Sequence, residues 1–220
     1  MKRIKDPGSA ITHFLGLLFA AGMLPVLLVH ASGQGAGAPV KIPLAVFMVS
    51  TMLLYAASTA YHTFRLTRKG NRRLKKLDHC MIPVLIAGTY TPVCLIALKH
   101  DGGIPLLTGV LALTLFSILF KLFWVSCPRW VSSVLYLVLG WLCMLSLPSI
   151  LAVLPKGAFL LLLAGGLLYT VGAVIYALKA KGFNERHPDF GTHEIFHLFV
   201  MGGNLCHFLL MYFYLSVPAA

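Results

Sequence analysis

The stretch Gly191-Thr192-His193-Glu194-Ile195-Phe196-His197 sets two histidines four residues apart at the head of the last long apolar run of the chain. Four residues is just over one helical turn, so on a helix both imidazoles face the same way and make a two-point metal claw. Ionisable groups at membrane depth are functional candidates by default. His62 closes an earlier apolar run and Asp78 opens the next. Whether these residues meet depends on how the apolar runs are threaded.

With 59% hydrophobic residues and a mean hydropathy of +0.86, the chain is too apolar for a soluble domain and reads as an all-α integral membrane protein. Seven runs approach the roughly 20 residues needed to cross a bilayer. They are Ala10 to Val29, Ile42 to Tyr61, Met81 to Leu98, Ile104 to Phe120, Val131 to Val153, Gly157 to Leu178 and Ile195 to Val217. The fourth is the shortest and is expected to continue past Lys121 by letting that side chain snorkel. Connections are short, so residues 1–220 are expected to form a single seven-helix transmembrane domain. Pro25, Pro83, Pro92 and Pro148 fall inside spans, where prolines kink helices. Gly165-Gly166 and Gly202-Gly203 are places where helices can approach closely.

The basic residues sort by loop. Lys2, Arg3 and Lys5 precede the first span; Arg65, Arg68, Lys69, Arg72, Arg73, Lys75 and Lys76 lie between the second and third. Lys121, Arg129, Lys179, Lys181 and Arg186 fall on the same side, against only Lys41, Lys99 and Lys156 on the other. The positive-inside rule then puts the N-terminus in the cytoplasm and the C-terminus outside. Topology accounts for the net charge of +12, so no nucleic-acid partner is expected. Anionic lipid headgroups are its natural contacts. Cys80, Cys94, Cys127, Cys143 and Cys206 show no C-x-x-C spacing and read as buried thiols.

This topology brings His62, Asp78, His193 and His197 to one membrane level, near the cytoplasmic ends of three spans. At about 100° per residue, His193, His197, Asn204 and His207 form one polar stripe about 80° wide. His207 lies about 21 Å from His193, too deep to share an ion, and should line a cavity or bond a neighbouring helix. Ser58, one turn from His62, can hydrogen-bond a ligand, water or substrate, or bond back to its own helix. Three imidazoles plus water suit zinc, and an open fourth position is the hydrolytic arrangement. A carboxylate there can accept a proton from water. Asp78 and Glu194 are both candidates for that role, Asp78 the stronger because it comes from a separate helix. Glu194 completes a His-Glu-x-x-His string, yet a carboxylate also belongs in the first turn of any helix. His13, His30, His79, His100 and His187 are read as interfacial or loop residues.

The set Ser58-Thr59-Ala60-Tyr61-His62, Leu77-Asp78-His79 and His193-Glu194-Ile195-Phe196-His197 resembles the hemolysin III family, bacterial relatives of the progestin and adipoQ receptors. The likeness covers nearly the whole chain. It implies seven helices with an inward N-terminus, a zinc held by His62, His193 and His197, Asp78 meeting the ion through water, and Ser58 nearby. Family members usually carry Glu before the first span, where this chain has Asp6-Pro7-Gly8-Ser9-Ala10-Ile11-Thr12-His13. Eukaryotic relatives are associated with ceramide amide hydrolysis, so the resemblance points to ceramidase-like chemistry.

The leading expectation is therefore a multi-pass protein of the bacterial inner membrane that hydrolyses an acyl amide or ester of a membrane lipid with zinc, Asp78 acting as base. Two others stand beside it: a non-enzymatic sensor or regulator with structural zinc, and a pore-forming, hemolysin-like protein. No Asp, Glu, Lys or Arg lies at a span centre, which leaves a conducting path little to run on.

Overall fold

Seven long helices follow one another in the computed structural model, which describes residues 4–178, 180–187 and 190–217. Lys2, Arg3 and Lys179, counted above among the basic residues, lie outside the described residues. The helices are α1 (Pro7–Gly33), α2 (Ala38–Thr63), α3 (Arg68–Ala97), α4 (Gly103–Phe123), α5 (Arg129–Val153), α6 (Lys156–Leu178) and α7 (Thr192–Leu215). All seven are long and apolar enough to cross a membrane. An odd number of spans puts the two ends of the chain on opposite faces. A short helix, Lys181–Arg186, sits between α6 and α7.

Each helix packs on its neighbour in sequence, and α1 against α7 closes the ring. Short connections force this antiparallel order, the membrane counterpart of a bundle with tight loops. The turn into α4 requires glycine: Gly102 takes φ 87°. A Cβ on Gly103 would collide with the Cys94 carbonyl, so α3 and α4 meet there backbone to backbone. The small-residue expectation holds at Gly165, which faces the His207 ring, and at Gly203, which faces Tyr169.

Two elements depart from simple apolar helices. The helix of α3 begins at Arg68, thirteen residues before the apolar run does, so its charged first turns stand clear of the apolar stretch and Asp78 is helical. In α5 the α-helix stops at Gly140 and a 3₁₀ segment, Trp141–Ser146, precedes the last helical stretch, Leu147–Val153. The backbone groups released there are served by one side chain. The Tyr90 hydroxyl donates to the Gly140 carbonyl at 2.7 Å and accepts from the Cys143 N–H at 2.8 Å. Such breaks survive at membrane depth only where protein groups satisfy the freed backbone.

The expected buried thiols are borne out for Cys80, Cys94 and Cys127, with Cys143 and Cys206 half-buried, and all five are free. The snorkelling of Lys121 is corrected. The helix does run past it to Phe123, but Lys121 is fully buried, turned inward onto Cys127 and Ser132. Hydroxyl and thiol partners within the bundle take its donors, so the side chain need not reach the surface.

Candidate metal centre

The ends of α1, α2 and α7 meet at the basic face, and the backbone explains how. The last turn of α2 leaves carbonyls without helical partners. Asp6 N donates to the His62 carbonyl at 2.9 Å and Lys5 N to the Thr63 carbonyl at 3.2 Å. The Lys5 ammonium also donates to the Tyr61 carbonyl and stands 3.4 Å over the Tyr61 ring. This strap carries the Asp6 carboxylate to His62, whose Nδ1 lies 2.9 Å from Asp6 Oδ2. That hydrogen bond, the largest influence on it, holds the Asp6 carboxyl below its ordinary range. The contact therefore stabilises the fold above the ordinary carboxylate pKa and is lost as pH falls through the depressed value.

The start of α7 is set by a capping arrangement. Glu194 Oε2 accepts from the Gly191 N–H at 2.8 Å, while its other oxygen accepts from the Ser9 hydroxyl of α1 at 2.5 Å. Both carboxylate oxygens are thus engaged in fixing the helix end. His193 and His197, one turn apart, then face inward with His62. Ligand atoms of the three rings lie within 4.8 Å of one another, and His193 Nε2 stands 3.2 Å from His62 Nε2. On the far side of His197, Nδ1 lies 3.2 Å from Thr12 Oγ1, whose own proton goes to the Gly8 and Ser9 carbonyls. The hydroxyl therefore accepts from His197 Nδ1–H, which leaves Nε2 with a free lone pair. The Asp6 carboxylate makes the same assignment at His62.

Fit to a metal can be judged from these donors. Two imidazole nitrogens facing each other at 3.2 Å need a proton or a cation between them, and tetrahedral zinc bonded to nitrogen at roughly 2.0–2.1 Å keeps its ligands about 3.3 Å apart. Outer partners on His62 and His197 are what metal-bound histidines ordinarily have.

A cavity of about 180 Å³ opens beneath the cluster. At its head stand His13, Ser58, Asp78, His79, His193 and His197; farther in, the walls are mostly apolar, from Ile82 and Ile86 of α3 to Leu147 of α5 and Leu162 of α6. Asp78 is buried, with Oδ2 3.2 Å from His79 Nδ1, and lies outside the three-histidine cluster. Ser58 is buried on the same wall. His207 lines the cavity and turns Nε2 to the Leu162 carbonyl at 3.2 Å.

Three residues gain a place at this site that the sequence reading did not give them. Asp6 backs His62 although it is not the Glu of the family pattern. His13, read as interfacial, is buried and stacks on His197 with ring centroids 3.6 Å apart and planes 4° from parallel; neither of its nitrogens has a partner among the described residues. His79 belongs to the cavity wall and not to a loop. The signal for His13 was present: Ser9, Thr12 and His13 make a polar patch at helical spacing in an otherwise apolar span.

A closed ring of seven transmembrane helices with three convergent histidines at one membrane face defines a multi-pass membrane protein with a candidate metal centre. Residues 1–208 match the sequence model of the family described as Haemolysin-III related. The chain belongs to that family. It is 37% identical to Hemolysin-3 of Bacillus cereus, over 98% of this chain and 94% of the relative. Against the Hemolysin-3 homolog of Bacillus subtilis the figures are 38%, 97% and 96%. A more distant likeness, 25% over 92% of this chain and 49% of the other protein, is to the Adiponectin receptor protein of Drosophila melanogaster.

Proposed function

We propose that this protein is a zinc-dependent hydrolase of acyl amide or ester bonds in lipids of a bacterial cytoplasmic membrane. The observation that carries the reading is the union of three inward imidazoles with a largely apolar cavity at the same membrane level. His62, His193 and His197 would hold the ion, Asp6 and Thr12 fixing two of the rings from behind. When bound, zinc would supply a Lewis acid and lower the pKa of water. The cavity would take the acyl chain along its apolar length and leave the scissile carbonyl at its head, beside Ser58. Asp78, buried there and acceptor-only when ionised, would receive the proton that water gives up. Glu194 is not cast as that base, since both its oxygens are engaged at the start of α7.

Elemental analysis of the purified protein beside His193→Ala, followed by incubation with a panel of acyl amides and esters, tests the reading. One zinc per chain and a release of fatty acid from the acyl amides that Asp78→Asn abolishes are expected. Stoichiometric zinc with no turnover across the panel would leave the ion a structural role and defeat the proposal.

A further inference from the structure

A second cluster lies between α4 and α5. The fully buried Lys121 Nζ donates to Cys127 Sγ at 3.1 Å and to Ser132 Oγ, and the sulfur and hydroxyl are 3.3 Å apart. The rings of Tyr136 and Phe120 stand 5.7 and 5.8 Å from the nitrogen. Among the described residues no carboxylate comes within ion-pair distance of it. A lysine nitrogen in contact with a serine hydroxyl is the pairing of a general base and its nucleophile. Of the three side chains, only Ser132 lines the cavity; Lys121 and Cys127 stand behind it.

We propose that Ser132 is a nucleophile toward acyl esters held in the cavity and that Lys121 is its base, a second reactive centre that works without the histidine cluster. The Nζ lone pair takes the hydroxyl proton as Oγ bonds to the acyl carbonyl carbon, and the carbonyl π pair moves onto its oxygen. When that pair returns, the ester C–O bond breaks and the alcohol leaves with the proton from Nζ. Ser132 then carries the acyl group until water, deprotonated by the same amine, releases the fatty acid and restores the hydroxyl. Cys127 supports the amine from the side away from the cavity and takes no part in bond making.

The test uses the full chain in detergent or nanodiscs with a long-chain alkyl fluorophosphonate, which bonds to an activated serine with loss of fluoride. Intact mass should rise by one probe per chain, and peptide mapping should place it on Ser132. Ser132→Ala should abolish labelling, and Cys127→Ala should retain it. Lys121→Arg keeps the donors but cannot take a proton, so labelling should slow by at least about 100-fold. Chelator-treated protein should label at the wild-type rate, an outcome that stands whether or not the zinc reading survives. An unlabelled wild type, a probe mapped to Cys127, an undiminished rate in Lys121→Arg or a loss of labelling on chelation would each overturn the proposal.

Discussion

Along one face of α7 two pairs of polar side chains meet different fates. His193 and His197 project toward a third imidazole, nitrogen facing nitrogen at 3.2 Å. Asn204 and His207, deeper in the same stripe, bond to neighbouring helices. Asn204 Nδ2 donates to the Tyr55 hydroxyl at 2.8 Å, the Tyr169 hydroxyl donates to Asn204 Oδ1 at 3.0 Å, and His207 Nε2 meets a backbone carbonyl. Periodicity treats all four residues alike. What separates them is pairing: buried donors matched with acceptors hold helices together, while matched lone pairs are left for something else to bind.

The largest expected effect follows from that contrast. Replacing His62 or His193 by Ala should reduce zinc from about one per chain to background in elemental analysis, and Asn204→Ala should leave it unchanged; equal zinc in all three proteins would erase the distinction. Asp6→Asn should weaken zinc binding about 10–100-fold in competition with a chelator, because the Nδ1 partner of His62 tunes its basicity. In thermal unfolding of the metal-free protein the order should reverse. Asn204→Ala leaves the Tyr55 and Tyr169 hydroxyls unpaired and should cost about 1–3 kcal/mol, more than His193→Ala does. Glu194→Ala should cost about 0.5–2 kcal/mol as a lost cap while keeping its zinc and any turnover. Abolished turnover in that variant would make Glu194 the base. Zinc retention should also fall steadily as the medium is acidified, since only neutral imidazoles bind the ion.

Much of this was legible in the amino-acid sequence, for reasons that can be named. Hydropathy counts spans well because lipid leaves a chain few alternatives. The alternating basic loops set His62, His193 and His197 at one level independently of how the helices pack. Asp6 was not legible, because its role depends on backbone pairing with residues 62 and 63 at the other end of two helices. His13 depended on a ring stack across helices, and Lys121 on partners six and eleven residues ahead that a hydropathy profile treats as loop and span start. The 3₁₀ segment of α5 was hidden as well. Its stability comes from the Tyr90 hydroxyl, a partner more than fifty residues upstream.

The strap formed by Lys5 and Asp6 has a practical side. A purification handle or fluorescent reporter fused ahead of it would load the few bonds that seat Asp6 against the His62 ring. Engineering of this protein should therefore keep the front of the chain bare.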